Sequence, residues 1–275
     1  MDLGRVGVWL GPLALRPAAE EREVARELEE LGYSALWYGE GPSNREAFAH
    51  AALLLGATER VAVASGIASI WLREPVSARN GSLTLAEAFG GRFVLGLGIS
   101  HAPLVERVGR DYAKPYAALR SYLERLDELD YGAARPEAPV PRVVGALGPR
   151  MLELSRELAD GAHPYLVTPE HTRRAREILG EGKLLAPEQA FVLGPDREAG
   201  RAHVERYLAL PNYRNNWLRL GLDLDALVEA LVASGGEAAV LARVEEHLAA
   251  GADHVCVQAV GPDPLGDLRR LAAAR

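Results

Sequence analysis

The chain has 275 residues, 31 basic and 38 acidic side chains and a formal net charge of −7. With 48% apolar residues it buries a core, which excludes an intrinsically disordered chain, and the acidic balance argues against nucleic acid or an anionic membrane as partner. Its single cysteine, Cys256, has no intramolecular disulfide partner, which fits a reducing compartment. Short apolar runs alternate with helical patterns along the whole sequence. The runs predict strands at 4–10, 35–39, 60–66, 93–99, 142–146, 162–168, 189–194 and 254–260, several of them rich in valine, as expected of strands covered on both faces. In 18–31, Val24, Leu28 and Leu31 fall on one helical face and Gly32 follows as the cap. Met151, Leu154 and Leu158 make the same stripe in 149–160, stopped by Gly161, as do Val240, Val244 and Leu248 in 237–250.

The repeated unit is therefore strand, helix, glycine, strand. Eight strands joined by right-handed crossovers predict an α/β fold, a (β/α)8 TIM barrel, formed by one domain spanning 1–275. The Pro/Ala stretch 133–141 reads as an extended connection. Between the seventh and eighth strands, two helical segments flank the 211–217 stretch and predict an insertion. No secretion signal and no apolar span of about 20 residues is visible, so a cytoplasmic location is expected.

Active sites of such barrels lie at the C-terminal ends of the strands. The residues there are Trp9 to Gly11, Gly39 to Gly41, Gly66 to Ser69, Gly98 to His101, Ala146 to Pro149, Thr168 to His171 and Gln258 to Val260. The run Gly145-Ala146-Leu147-Gly148-Pro149 leads straight into a helix with proline in its first turn. Such a turn either closes tightly or holds an anion on free amides and the helix dipole. Gly96-Leu97-Gly98 lacks the third glycine of a dinucleotide fingerprint, because His101 stands there. Glu40 is an acid at an early strand end and reads either as a catalytic carboxylate that binds or donates protons in the site or as a surface one. His101 is the best placed acid–base candidate, against a loop histidine without a role. Trp9, Ser69, Thr168, His171, Tyr213 and Trp217 are candidates for a substrate pocket. The seven histidines show no metal-ligand spacing, so no metal is expected. The two lysines, Lys114 and Lys183, lie away from strand ends, which disfavours a Schiff-base aldolase.

Read together, Leu36-Trp37-Tyr38-Gly39-Glu40, 63–69 with Arg73-Glu74-Pro75, 91–98, Ala146-Leu147-Gly148-Pro149 with Ala159-Asp160-Gly161, and 251–255 resemble the luciferase-like flavin and deazaflavin oxidoreductases, in particular the branch that uses coenzyme F420. The resemblance implies a hydride transfer between F420 and a small organic substrate in the barrel mouth. It implies a non-proline cis peptide at Gly66-Ile67 behind the ring, ring contacts at Leu97 and Gly98, and phosphate contacts at Ala146, Leu147 and Gly148. Glu40 matches an acidic position near the ring. A homodimer through early helices is a further implication. Gly41 and Ile99 replace a histidine and a glutamate that serve acid–base chemistry in sugar-phosphate dehydrogenases of the family, so that activity is not expected. An FMN-dependent monooxygenase and a non-catalytic flavin-binding barrel are the alternatives.

Overall fold

The computed structural model describes residues 3–128, 130–194 and 197–275. Among the described residues eleven strands form the sheet: β1 (Val6–Trp9), β2 (Ala35–Tyr38), β3 (Ala62–Ser65), β4 (Ala68–Ser69), β5 (Phe93–Gly98), β6 (Arg142–Val144), β7 (Gly161–Ala162), β8 (Leu184–Leu185), β9 (Glu188–Leu193), β10 (Val232–Gly235) and β11 (Val255–Ala259). Their order is β10-β9-β11-β1-β2-β3-β5-β6-β7-β8, with β4 paired to β5. The ladders between these strands are parallel. The result is a curled parallel sheet with helices outside it.

Residues 184–193 explain the curl. Their first part, β8, pairs with β7, and their second, β9, pairs with β11. Pro187 separates the two because it has no N–H to give a ladder. Glu188 N–H resumes the pattern by donating to Pro164 O at 2.9 Å.

Apolar side chains fill three regions. The largest cluster lies between the sheet and the helices and includes Leu28, Leu54, Phe93 and Leu123. A second, within the curl, joins Trp37, Ala64, Val143 and Cys256. Cys256 is a buried free thiol, a small hydrophobe in a strand as its sequence position predicts. A third cluster packs Tyr165, Tyr213, Trp217 and Leu231 under the helices Glu198–Leu208, Pro211–Trp217 and Leu224–Leu231.

The structure corrects several expected boundaries. The strand expected at 162–168 has only two ladder residues, Gly161 and Ala162; Leu166 turns the chain away at φ 53°. Gly161 does not stop the preceding helix, which ends at Leu158. It lets β7 approach β8, since a Cβ on it would strike Leu184 O. Three strands, β4, β8 and β10, escape the sequence pattern. β8 is too short to show alternation, and β10 follows the helix Leu224–Leu231 with no intervening breaker.

One carboxylate sets where β3 begins. Glu29, on the helix Ala18–Glu30, accepts from the backbone N–H groups of Glu59 at 3.1 Å, Arg60 at 2.6 Å and Val61 at 2.9 Å. Burial acts to raise its pKa, but these three bonds outweigh it and the pKa is lowered. Replacing Glu29 by Ala strands the three donors and is expected to cost about 2–3 kcal/mol. Urea unfolding of the variant checks this; an unchanged midpoint would refute the anchoring role.

Candidate active site

Parallel strands that end together leave their C-terminal backbone facing one space. Here that space is a cavity of about 770 Å³. Its floor is nearly bare backbone: Gly39 after β2, Gly66 after β3, Gly98 at the end of β5 and Gly145 after β6. Side chains are excluded there by contact. A Cβ on Gly98 would lie 2.7 Å from Ile67 Cγ1, and one on Gly145 would lie 3.0 Å from Ile67 Cγ2. One on Gly66 would lie 2.8 Å from His163 Nε2 and 3.1 Å from Trp9 Nε1. Ile67 thus lies over two glycines and presents an apolar surface to the cavity. The Gly66-Ile67 peptide is cis, as the resemblance implies.

Beside the floor, Gly148 caps the helix Pro149–Leu158 and borders the cavity together with Ala146 and Leu147. A Cβ on Gly148 meets no atom within 4 Å, so the helix start faces open space. Pro149 has no N–H and Met151 N–H is turned to Gly148 O at 3.0 Å, so the helix start offers chiefly the positive end of its dipole. Leu147 is held from behind, its carbonyl 2.8 Å from His171 Nε2.

The candidate residues divide by position. Trp9, Glu40, Gly66, Ile67, Gly98, His101, Ala146, Leu147, Gly148 and Tyr213 border the cavity. Leu97, Ser69, Thr168, His171 and Trp217 do not. Leu97 is wholly buried under the floor and accepts from Gly145 N–H at 2.9 Å. Ser69 is buried in β4, and its N–H donates to Glu40. Thr168 caps the helix Pro169–Leu179 by accepting from His171 N–H. His171 lies behind Leu147, and Trp217 packs in the third apolar cluster. A strand-end position fixes where a residue is but not which way its side chain points.

Glu40 is fully engaged. Its carboxylate accepts from Arg73 at 2.7 Å, from Ser69 N–H at 2.8 Å and from Ala47 N–H at 3.0 Å, with a second Arg73 contact to Oε1. The pair is dry, with 2% of the Glu40 side chain and 6% of the Arg73 side chain exposed. Burial alone would lower the Arg73 pKa, but the hydrogen bonds and charge of Glu40 raise it. His101 also borders the cavity. Its ring meets Tyr213 at 5.5 Å between centroids, and burial pulls its pKa down to about 4, so it is neutral at pH 7.

The sequence pattern missed a second set of wall residues. Tyr165 Oη donates to Gln258 Oε1 at 2.7 Å and accepts from Tyr207 Oη at 3.0 Å, and its ring meets Trp9 at 5.1 Å. His203 lies near it, with Nε2 3.3 Å from the same hydroxyl. Gln258 stands at a strand end already singled out by position. Tyr165 falls on the stretch read as regular strand, where the ladder already ends at Ala162.

Tyr165 is set by the turn at Leu166, whose N–H donates to Glu188 Oε2 at 2.9 Å. Glu188 is wholly buried, and its Oε1 has no partner among the described residues. Burial pushes its pKa up to about 8, so at pH 7 the folded protein holds it as the neutral acid. The unfolded chain releases that proton near the ordinary carboxylate value. The group's contribution to stability is therefore whole below that value and is lost as pH rises to about 8. Glu188→Gln is expected to flatten this loss. Urea midpoints at about pH 5 and pH 8 test it; equal pH slopes in wild type and variant would contradict the neutral carboxyl.

The chain belongs to the luciferase-like monooxygenase family, whose model matches residues 1–254. Among curated proteins it is 26% identical over 255 residues to a coenzyme F420-dependent oxidoreductase of Mycobacterium tuberculosis, covering 76% of this chain and 73% of that one. It is also 26% identical over 171 residues to 5,10-methylenetetrahydromethanopterin reductase of Archaeoglobus fulgidus, covering 56% of this chain and 51% of that one, about half the relative's length. In structure it is similar to an F420-dependent secondary alcohol dehydrogenase in complex with an F420–acetone adduct, with a TM-score of 0.80 at 15% identity, covering 99% of this chain and 98% of that one. The F420-dependent tetrahydromethanopterin reductase of Methanopyrus kandleri gives 0.75 at 18% identity, with the same coverage. At these identities the structures show the shared fold, the luciferase-like barrel family.

Proposed function

We propose that this chain is a single-domain oxidoreductase that uses coenzyme F420 to transfer a hydride to or from a small organic substrate. Its sheet counts as a (β/α)8 barrel when residues 184–193 are taken as the seventh strand and residues 198–235 as an insertion after it. The observation that carries the proposal is the M. tuberculosis relative, a protein named as a coenzyme F420-dependent oxidoreductase and matched over 76% of this chain. The sequence likeness to that relative favours F420 over the FMN monooxygenase reading.

The residues fit the cofactor. Ile67 and the bare backbone at Gly66, Gly98 and Gly145 give a flat apolar support for a planar ring. The open helix start at Gly148, with Ala146 and Leu147, suits a phosphate. Bound there, F420 supplies the carbon that gives or accepts the hydride. The protein's part is to hold ring and substrate in line and to keep water out. Leu97 supports the floor from below. Glu40, bound on all sides by Arg73, Ser69 and Ala47, acts as a positioning residue that fixes β4 and the floor beside Ile67. Ser69, Thr168, His171 and Trp217 support the cavity from outside it, while Trp9, His101 and Tyr213 face the substrate. Among the described residues no helix is long and apolar enough to cross a membrane. A cytoplasmic homodimer completes the proposal, and sedimentation velocity checks the dimer.

Gly148→Asp tests the phosphate position. A side chain there meets no protein atom, so the fold is expected to survive. Its charge opposes a phosphate and is expected to weaken F420 binding about 100-fold. Unchanged affinity in a folded variant would overturn the assignment.

A further inference from the structure

Two polar groups on the cavity wall stand out because the protein leaves them unused. Tyr213 is only 6% exposed, yet its hydroxyl has no hydrogen-bond partner among the described residues. Tyr213 borders the cavity. His101, against the Tyr213 ring, has one nitrogen placed and one free. The Asn212 amide nitrogen lies 3.5 Å from both Ser100 O and His101 Nδ1, at the long limit of a hydrogen bond. Ser100 O can only accept, which orients the amide with its NH2 toward both atoms. His101 Nδ1 is then the acceptor, and the ring proton sits on Nε2.

We propose that Tyr213 Oη–H and His101 Nε2–H form a two-donor subsite for the oxygen of a carbonyl substrate. The proposal rests on the oxidoreductase reading above and adds the substrate class: a compound whose reacting end carries a C=O. An oxygen facing two donors and no acceptor is one that only accepts, as a carbonyl or an oxyanion does. A carbonyl that gains a hydride becomes an oxyanion, and two donors fixed beforehand favour that charge over the starting compound.

The protonation states agree. Burial keeps the Tyr213 phenol far above its ordinary pKa, so it holds its proton at neutral pH. Burial keeps His101 neutral, and a neutral imidazole N–H is an effective hydrogen-bond donor to a carbonyl. Both rings are held in place. Tyr213 meets Tyr207 edge-on at 4.9 Å and Trp217 at 5.5 Å, so its hydroxyl is fixed by packing and not by a hydrogen bond that a ligand would have to break. Glu40 does not compete for the oxygen, because its carboxylate is bound to Arg73 and to backbone N–H groups.

The test uses the cofactor-free chain and 4-nitrophenol, whose phenolate is a coloured stand-in for the oxyanion. Wild type is expected to bind the phenolate in preference to the phenol and to bring out its yellow band below the pH at which the free compound ionises. Tyr213→Phe, which keeps the ring and its packing, and His101→Ala are each expected to weaken phenolate binding by about tenfold or more. Failure of wild type to bind the phenolate, or equal binding by wild type and Tyr213→Phe, would overturn the subsite. F420 affinity of the same samples is read separately by fluorescence. Intact F420 binding with no phenolate effect overturns the subsite alone. Lost F420 binding with the predicted phenolate effect overturns the cofactor reading and leaves the oxygen subsite standing.

Discussion

The geometry of this molecule turns on one steric constraint: the strand ends around Ile67 must be bare backbone. Side chains at Gly98 and Gly145 would occupy the volume of Ile67, and one at Gly66 would occupy that of His163 and Trp9. Close packing leaves no room to compensate. The chain therefore carries a flat floor in the middle of its cavity, and the polar chemistry is pushed to the walls. On one wall the Glu40–Arg73 pair ties β4 to the floor. On another, the helices after β9 bring in Tyr207 and Tyr213.

Electrostatics follow the same division. Charges near the floor are paired and dry, as Glu40 and Arg73 show. Several ionisable groups below and around the cavity are kept neutral by burial: His101 and His163 are each pulled down to about 4, and Glu188 is pushed up to about 8. A ligand entering the cavity thus meets these neutral groups, the cationic Arg45 and Arg206 that also border it, and positive potential at the helix start beside Gly148. This suits a molecule with an uncharged planar ring at one end and an anionic group at the other.

Much of this was legible in the sequence because the relevant signals are local. The valine-rich runs and the Gly32 cap depend on near neighbours, and the structure reproduces the helices at 18–30, 149–158 and 237–249. Gly-Pro at 148–149 announces its helix start for the same reason. The pattern fails where long-range contact decides. β10 exists because it pairs with β9, and nothing between Leu231 and Val232 marks the change from helix to strand. Leu166 turns because Glu188, 22 residues later, accepts its N–H. That turn gives the Tyr165 side chain its direction, which periodicity could not supply. Ser69, Thr168 and His171 stand near the right end of the sheet but do not border the cavity, each side chain engaged with backbone.

The central claim is that a floor of bare backbone, with an open helix start beside it, holds a deazaflavin. The most direct measurement is an equilibrium titration of the purified chain with F420 and with FMN under the same conditions. The account predicts saturable F420 binding, with FMN at least about tenfold weaker. Tighter binding of FMN, or no binding of F420, would contradict it.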